Sequence, residues 1–508
     1  MKVSIPQMKI KTGQMLLLSI LLVSNSCNDF LDEVPDNRVA LENLDKAAQL
    51  LTSAYSIISP AFTDWMTDDV GFIRGTTIRP NHTQAYLWEE FFDDPNELDA
   101  PVSYWFETYT AIAHANEVLA VLDGLPAVTN SEIEQKMAVE SEALLTRAYG
   151  HFMLVNLFSK HYKAQTASTD LGVPYVEKPE TVFIQQYTRN TVQEVYDKVE
   201  RDLLRGIELV NDNFFANSGK YHFNRNAALA FASRFYLFKE DYEKCIEFST
   251  RLLGNSPGNF VRDMTSEEFL AASSSITGYP QLYSSPDLPG NLLLIRKISL
   301  VQRPDFAHGP TNTIYNDLFA ENPFAGTTDT RENPAFVKGE NGLFPVRYES
   351  LFERSSLNSD VGFPYHIALA FRGEEVLLNR AEAYTQMNRL PEALDDLQVL
   401  VDNRYSLNNA LSEPPLVTID LLKFFFGASN NPFIRDSALI EQFLMLERRK
   451  EFIVQGMRWF DIKRFELEVE HELAGGGSTV TLKKDDRRKV LQIPSSAIDV
   501  GGLEPNPR

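Results

Sequence analysis

The sequence predicts an all-α protein in which paired helices form a repeat scaffold that is interrupted by two long irregular segments. Apolar residues recur at helical spacing over most of the chain, as amphipathic helices require. Two stretches repeat the same spacing of large and small residues. Two other stretches, at about 60–103 and 256–345, are rich in turn-forming residues but also contain many aromatic residues, which favours ordered loops that carry function.

The individual helices follow from local signals. The first helix starts at Leu44, and two longer ones are predicted at about 104–123 and 131–160. Thr191 and Glu194 form a capping-box pattern ahead of an apolar stripe, which predicts the start of the next helix.

Two later helix pairs share one internal spacing. A tyrosine is followed nine residues later by a small residue, in one case Tyr236 and Cys245 and in the other Tyr384 and Ala393. This large-then-small pattern is typical of tetratricopeptide repeats. We therefore expect several such pairs to form a right-handed scaffold in which Cys245 is a buried packing residue. The matching residues are Leu229, Tyr236, Tyr242, Cys245 and Pro257 in the first repeat, and Leu377, Ala381, Tyr384, Leu390, Ala393 and Leu397 in the second.

The N-terminal residues predict export. Residues 1–26 contain early lysines and the short apolar run Met15–Val23, which is typical of a signal peptide that is removed. This run is shorter than the roughly 20 residues that span a bilayer. Cys27 stands where a lipoprotein signal peptidase leaves a new N-terminus, so we expect it to be lipidated. Residues 27–508 should then form a single domain.

Charge and motifs limit the function. The chain has 48 Lys and Arg against 70 Asp and Glu, a net charge of −22, which excludes nucleic acid as a partner. The eight histidines form no close metal-ligand pair, and neither a nucleophile elbow nor a Walker loop is present. Paired carboxylates leave glycoside hydrolysis open on composition alone. The motifs therefore predict no metal site and no cofactor, and they do not decide between a binding protein and a glycosidase.

The first irregular segment groups aromatic side chains with polar ones, as a sugar site requires for stacking and for reading hydroxyl groups. The predicted ligand contacts are Trp65, Arg79, Asn81, Tyr86 and Trp88, with Tyr283 from the second irregular segment. The competing interpretation is that Trp65 and Trp88 pack inside the loops, because buried indoles are common.

Two C-terminal blocks carry a resemblance to a known family. The sequences FRGEEVLLNRAEAYTQMNRLPEALDDLQVLVDNR at 371–404 and ERRKEFIVQGMRWFDIKRF at 447–465 are similar to characteristic blocks of the SusD/RagB family. Upstream of these blocks, the CNDFLD sequence that starts at Cys27 and the helix at 147–158 are also similar to family segments and occur in the family's order. We expect the 447–465 block to be one helix with a structural role, in which arginines pair with neighbouring glutamates.

The resemblance implies a lipid-anchored protein of the outer membrane that is exposed at the cell surface. Such a protein captures glycans and delivers them to a SusC-like TonB-dependent transporter, without catalysis. Capture of peptides, as in RagB-type proteins, is the first alternative. A repeat scaffold that binds only a protein partner is the second.

Overall fold

The structure, a computed structural model, describes residues 41–508 with the exception of 92, 183–184, 304, 408–414, 430 and 432. Cys27 and the predicted signal peptide therefore lie outside the described residues. Residues Asn43–Arg508 form one unit. Among the helices of the described residues, none is both long enough and apolar enough to cross a membrane.

Most of the secondary structure is helical, and the prediction of a helical scaffold is confirmed. The helices are α1 (Leu44–Leu51), α2 (Phe62–Trp65), α3 (Pro80–Leu87), α4 (Pro101–Leu122), α5 (Asn130–Phe158), α6 (Val192–Leu209), α7 (Arg225–Phe238), α8 (Tyr242–Leu253), α9 (Glu267–Ala272), α10 (Gly278–Tyr283), α11 (Asn312–Ala320), α12 (Gly373–Gln386), α13 (Leu390–Asp402), α14 (Ile419–Phe425), α15 (Asp436–Phe452), α16 (Arg458–Arg464) and α17 (Ser495–Asp499).

Most helices of the scaffold pack against helices that are close to them in the chain. Helix α5 packs between α4 and α6, α7 packs on α8, and α12 packs on both α13 and α8. The capping box at Thr191 and Glu194 is present at the start of α6. Cys245 is fully buried, and its Sγ contacts the Asn379 carbonyl oxygen of α12 at 3.6 Å. The two helix pairs predicted from sequence are therefore present and pack against each other.

Short strands add small sheets to this helical body. The strands are β1 (Gly71–Phe72), β2 (Asn291–Ile298), β3 (His308–Gly309), β4 (Thr327–Asp329), β5 (Ala335–Lys338), β6 (Gly342–Pro345), β7 (Leu351–Arg354), β8 (Gly362–Arg372), β9 (Tyr405–Leu407), β10 (Val469–Glu472) and β11 (Thr479–Leu482). β8 pairs with β2 on one side and with β7 on the other, and the remaining strands form the pairs β1–β3, β4–β9, β5–β6 and β10–β11. All of these pairings are antiparallel.

The 447–465 block is not the single helix that its sequence suggested. Helix α15 ends at Phe452 and α16 begins at Arg458. Between them Val454 and Gly456 have φ angles of 55° and 74°, which an α-helix cannot include. The break turns the Gly456 N–H toward the first irregular segment, where it donates to the Asp64 carboxylate at 2.7 Å.

The charged residues of this block have the expected structural role, but most of their partners lie in other elements of the chain. Glu447 binds Arg331 at 2.8 Å, Glu451 binds Arg404 at 2.8 Å, Arg448 binds Asp461 at 3.1 Å, and Arg449 binds Asp69. Apart from Arg449, whose side chain is 26% exposed, these groups are buried. The expected pairing of Arg448 and Arg449 with the neighbouring glutamates was wrong, because these side chains bind groups of other elements.

Candidate ligand-binding site

The two irregular segments predicted from sequence meet in the structure. Strand β1 from the first segment pairs with β3 from the second. Beside this pair the Ile73 N–H donates to the Ala307 carbonyl at 2.7 Å, and the Thr77 N–H donates to the Asp305 carbonyl at 2.8 Å. Main-chain hydrogen bonds therefore join segments that are more than 200 residues apart in the chain.

Residues 335–343 extend this joined surface. The Arg74 N–H donates to Asn341 Oδ1 at 2.9 Å, and Asn341 Nδ2 donates to the Phe72 carbonyl at 3.2 Å. At Gly339 φ is 57°, and a Cβ would lie only 2.3 Å from the Arg74 carbonyl oxygen, so this close approach requires glycine. We call residues 71–79, 305–309 and 335–343 the junction surface.

The junction surface exposes charged and apolar side chains together. The exposed members include Arg74, Ile78, Asp305, Val337 and Glu340. Charged groups can read sugar hydroxyls, and apolar groups can pack against sugar C–H faces.

Beneath the junction surface lies a cluster of aromatic and histidine rings. The Trp65 ring stacks on His82 with 3.5 Å between centroids, and His82 makes an edge contact with Phe306 at 4.9 Å. The Arg79 guanidinium lies over the Phe306 ring at 5.6 Å. Packing between rings therefore joins the two irregular segments in addition to the main-chain hydrogen bonds.

A second ring stack fixes the first irregular segment to strand β10. His471 lies between Tyr86 and Trp88, with centroid distances of 4.0 and 4.4 Å and interplanar angles of 2° and 13°. The Tyr86 hydroxyl donates to the Glu472 carbonyl at 2.9 Å, and Trp88 Nε1 donates to the Met66 carbonyl at 3.0 Å. The polar atoms of both side chains are therefore bound inside the protein.

The structure places Trp65, Asn81, Tyr86 and Trp88 in the interior, with exposed fractions of 5%, 4%, 2% and 4%. The prediction that Trp65 and Trp88 are open stacking platforms does not agree with this burial, because other rings cover their faces. Arg79 is partly exposed and pairs with Glu97 at 2.5 Å. The buried residues of the first segment therefore support the surface from below, whereas Arg79 belongs to the surface itself.

Tyr283 lies apart from this cluster. It is 1% exposed, with the Arg262 guanidinium 3.9 Å from its ring centroid. Its hydroxyl accepts from Arg262 Nη2 at 3.2 Å and contacts Gln455 Oε1 at 3.2 Å. The prediction of Tyr283 as a ligand contact does not agree with this burial, because the ring packs inside the ionic network of the scaffold.

A small pocket of about 20 Å³ opens beneath the junction surface. Its lining includes Asp64, Arg303, Phe306, His308, Lys338 and Phe344. Gly309 also lines it, and a Cβ there would lie 3.2 Å from Lys338 Nζ. The absence of a side chain at Gly309 therefore leaves space around the ammonium group.

Burial determines the charges around this pocket. It lowers the pKa of His82 to about 2 and the pKa of His308 to about 4. It also raises the pKa of Asp64 to about 8 and lowers the pKa of Lys338 to about 8. Near neutral pH, both imidazoles and most of the Asp64 carboxyl are uncharged, whereas most of Lys338 carries its positive charge.

A larger cavity of about 970 Å³ lies beside Trp88, between the first irregular segment and the C-terminal residues. Its lining includes Leu87, Trp88, Phe91, Arg488, Val490 and Leu491. The Arg488 guanidinium lies 5.7 Å from the Trp88 ring centroid. This volume is large enough for a small-molecule or peptide ligand.

Among residues 41–508, outside the few positions that the structure leaves undescribed, no group of three or more His, Cys, Asp or Glu side chains could hold a metal ion.

Comparison with protein-family models identifies the family. A SusD-like model, described as starch-binding and associating with the outer membrane, matches residues 29–237. The model of the SusD family matches residues 360–499. Together the two models match more than half of the chain. The chain belongs to the SusD family.

Individual relatives of this SusD-family chain are distant in sequence but similar in fold. SusD-like protein P38 of Formosa agariphila is 22% identical, and the match covers 90% of this chain and 91% of the relative. A putative sugar binding protein from Bacteroides vulgatus is 21% identical with a TM-score of 0.68, covering 91% of this chain and 97% of that structure. A laminarin binding SusD-like protein is 16% identical with a TM-score of 0.60, covering 92% and 99%.

Membership of the SusD family indicates a binding protein rather than an enzyme. Several residues of its candidate site were not singled out from the sequence, notably Phe306, His308 and Lys338. They stand in a turn-rich stretch without motif or periodicity. The one available signal was the aromatic content of the second irregular segment.

Proposed function

We propose that this SusD-family protein captures glycans at the bacterial surface and delivers them to a SusC-like TonB-dependent transporter. Removal of residues 1–26 would leave Cys27 as a lipidated N-terminus that anchors one domain, residues 27–508, to the outer membrane. The junction surface would contact the glycan, while the helical scaffold holds that surface in shape. The transporter would supply energy coupling, and this chain would supply recognition.

The observation that carries the proposal is the assembly of both irregular segments into one surface by main-chain hydrogen bonds. Loops held rigidly on a scaffold are the usual place for recognition. The mixture of charged groups with exposed Ile78 and Val337 suits a ligand that has hydroxyl groups and apolar faces. The description of the matched family model and the laminarin binding relative both favour a glycan.

Peptide capture is the second candidate, and the large cavity beside Trp88 favours it. The four tryptophans of the chain are all buried, so no exposed indole is available for sugar stacking. The cavity is lined by a majority of apolar side chains together with several charged and polar ones, which suits the side chains and main chain of a peptide. A scaffold without any ligand has less support, since such a protein does not need an open cavity.

Calorimetry of the purified protein against a panel of polysaccharides and peptides tests the ligand class. If a glycan binds the junction surface, the double variant Ile78→Gln, Val337→Gln should lose roughly tenfold or more in affinity, because apolar contact area is lost. Val128→Gln is the matched control, since Val128 is 85% exposed and lies outside the junction surface. Equal loss in the control would reject the proposed surface.

A cavity-filling variant separates the two candidates. Val480 lines the large cavity, and Val480→Trp should obstruct it without changing the junction surface. Glycan affinity should stay within about twofold of the wild type. Loss of peptide binding in this variant, together with no binding of any polysaccharide by the wild type, would favour peptide capture instead.

Anchoring has its own test at Cys27. Metabolic labelling with a fatty-acid probe should label the wild-type protein, and Cys27→Ala should abolish the label, because no other cysteine follows the apolar run closely. Labelling of Cys27→Ala at the wild-type level would reject the lipoprotein proposal and leave the ligand proposal untouched.

A further inference from the structure

Lys338 is a buried cation that lacks a polar partner. Its residue is 5% exposed, and among the described residues its Nζ has no hydrogen bond or ion pair. Its contact within the structure is the face of Phe344, whose centroid lies 5.6 Å from Nζ. An unpaired ammonium is costly to bury, and burial is the reason that its pKa falls. Placement of such a group at a pocket wall points to a ligand.

Two further groups at the same pocket can donate hydrogen bonds. His308 is 4% exposed, and its Nδ1 is buried without a hydrogen-bond partner in the described part of the chain. Arg303 is exposed at the rim and makes no ion pair with a described residue. Three nitrogen-bearing side chains, two of them charged, therefore converge on one small space.

The acidic groups nearby do not neutralise the positive charge of these donors. Burial raises the pKa of Asp64 to about 8, so its carboxyl is mostly protonated near neutral pH. Its carboxyl also accepts the Gly456 N–H at 2.7 Å. Asp305 is exposed and makes no ion pair with Lys338, although its negative charge partly opposes the effect of burial on the Lys338 pKa. The pocket therefore presents net positive charge although the whole chain carries −22.

The size of the pocket limits what can enter. A volume of about 20 Å³ holds about one water-sized group. A free phosphate or an entire sugar ring is too large to be enclosed. The oxygen atoms of a carboxylate or sulfate substituent can enter the pocket, while the rest of the ligand remains outside on the junction surface.

We propose that this pocket binds a carboxylate or sulfate substituent of an acidic glycan, with Lys338 and Arg303 as charged donors and His308 as a neutral donor. The proposal rests on glycan capture at the junction surface and specifies the class of glycan. A uronic acid would supply the carboxylate, and a sulfate ester would supply the sulfate. The acidic group gives each sugar a defined direction relative to the surface.

Matched pairs of polysaccharides test this proposal on the purified full chain. Polygalacturonate is compared with its fully methyl-esterified form, and dextran sulfate is compared with dextran, so that charge changes while the backbone stays the same. The charged member of at least one pair should bind roughly tenfold or more tightly, as charge-assisted hydrogen bonds predict. The two pairs distinguish carboxylate from sulfate.

The decisive variant is Lys338→Met, which removes the charge and retains an apolar stem. Affinity for the charged polysaccharide should fall roughly 10- to 100-fold, and affinity for any neutral polysaccharide that binds should stay within about twofold. Lys178→Met is the control, because Lys178 is exposed and its substitution changes the net charge by the same amount. The thermal melting of both variants confirms folding, and the charged ligand should raise the melting temperature of the wild type but not of Lys338→Met.

The outcomes separate the two proposals. Binding of neutral and charged members with equal affinity, or undiminished binding by folded Lys338→Met, would overturn the acidic-group proposal and leave glycan capture in place. Failure of every polysaccharide to bind would overturn glycan capture itself. Polyglutamate that binds more tightly than either charged polysaccharide, with loss in Lys338→Met, would reject the glycan as the source of the acidic group.

Discussion

Around helix α15, the buried guanidinium of Arg404 lies between the carboxylates of Glu374 and Glu451, at 3.2 and 2.8 Å. Beneath the junction surface, the buried ammonium of Lys338 lies beside an aromatic ring and the uncharged His308. Both cations are almost completely enclosed. The first region places carboxylates at ion-pair distance from its cation, whereas no described carboxylate of the second region lies at ion-pair distance from Lys338.

The contrast separates two uses of buried charge. A fully paired network fixes the mutual position of several elements, and its cost is offset by good hydrogen bonds. An unpaired cation contributes nothing comparable to folding, so its presence is better explained by a partner that arrives from outside. Whether a buried charge has an ion-pair partner therefore indicates its role better here than how deeply the charge is buried.

The largest effect should follow from breaking the paired network. Glu451→Gln removes one of the two carboxylates that bind Arg404, and the unfolding free energy should fall by about 3–5 kcal/mol because a buried network of guanidinium groups loses a shared negative charge. Denaturant unfolding measures this. Glu468→Gln, at an exposed position, should change it by less than about 0.5 kcal/mol. Equal unfolding midpoints for the two variants would mean that the network does not stabilise the fold.

The ring stacks below the junction surface should stabilise the fold, as the ionic network does and as the pocket does not. Trp65→Ala and Trp88→Ala should each lower the unfolding free energy by about 3–5 kcal/mol, because large enclosed rings are lost. Thermal melting and circular dichroism measure the loss. Well-folded variants with unchanged melting would contradict the burial of these indoles and would restore them as candidates for direct sugar stacking.

The contributions of the two regions to folding stability should change with pH in opposite directions. Although burial alone would raise it, Arg404 and other guanidinium groups hold the pKa of Glu451 well below its usual range. Its contribution to stability is therefore present above the unfolded pKa and is lost as pH falls toward the lower folded value. Burial instead raises the pKa of Asp64 to about 8, so Asp64 destabilises the protein progressively as pH rises from about 4 to 8.

Asp64→Asn isolates the second effect. The variant should be more stable than the wild type by on the order of 2–4 kcal/mol at pH 7, because the unfolded wild type gains by ionising and the folded form does not. The difference should disappear below about pH 4. Chemical unfolding across this pH range measures it, and a difference that does not vary with pH would show that Asp64 titrates normally.

Lys338→Met should also raise the unfolding free energy, but by less than Asp64→Asn does. Removal of an unpaired buried charge should stabilise the unliganded protein by about 1–3 kcal/mol near pH 7. Lys178→Met should have no measurable effect on unfolding. Destabilisation by Lys338→Met would mean that the ammonium has a structural partner, and the contrast with Arg404 would then disappear.

The smallest effect is expected at Cys245, which burial keeps as a neutral thiol by raising its pKa to about 12. In a Cys27→Ala background, a thiol reagent at pH 8 should react with Cys245 only after denaturation. A reducing agent should not lower the melting temperature. Rapid labelling of the folded protein would show that α8 and α12 separate easily.

The features that sequence predicted well are local ones. The capping box of α6 and the spacing of Tyr236 and Cys245 depend on neighbouring residues, and both were identified correctly. The break after Phe452 was missed because charged and apolar residues continue through it with helical spacing. The partners of Glu447 and Glu451 could not be read from sequence, since Arg331 and Arg404 become neighbours only when the chain folds.

The candidate site shows the same division. A polar, aromatic segment at 60–103 was identified from composition, and it does form part of the junction surface. Composition could not show that His82 and His471 cover the rings of Trp65 and Trp88. Nor could it single out Lys338, because the lack of an ion-pair partner depends on the folded surroundings and has no sequence pattern.

The way in which the junction surface is held together also bears on how it can evolve. Its connections at Ile73, Thr77, Ala307 and Asp305 run between main-chain atoms, so they do not depend on which side chains those residues carry. Gly339 and Asn341 are exceptions, because any Cβ at Gly339 would collide with a neighbouring carbonyl oxygen and the Asn341 side chain supplies two of the hydrogen bonds. Point substitutions can therefore exchange the exposed residues of this surface without changing the main-chain hydrogen bonds that set its shape, so the same fold can present different chemical groups to solvent.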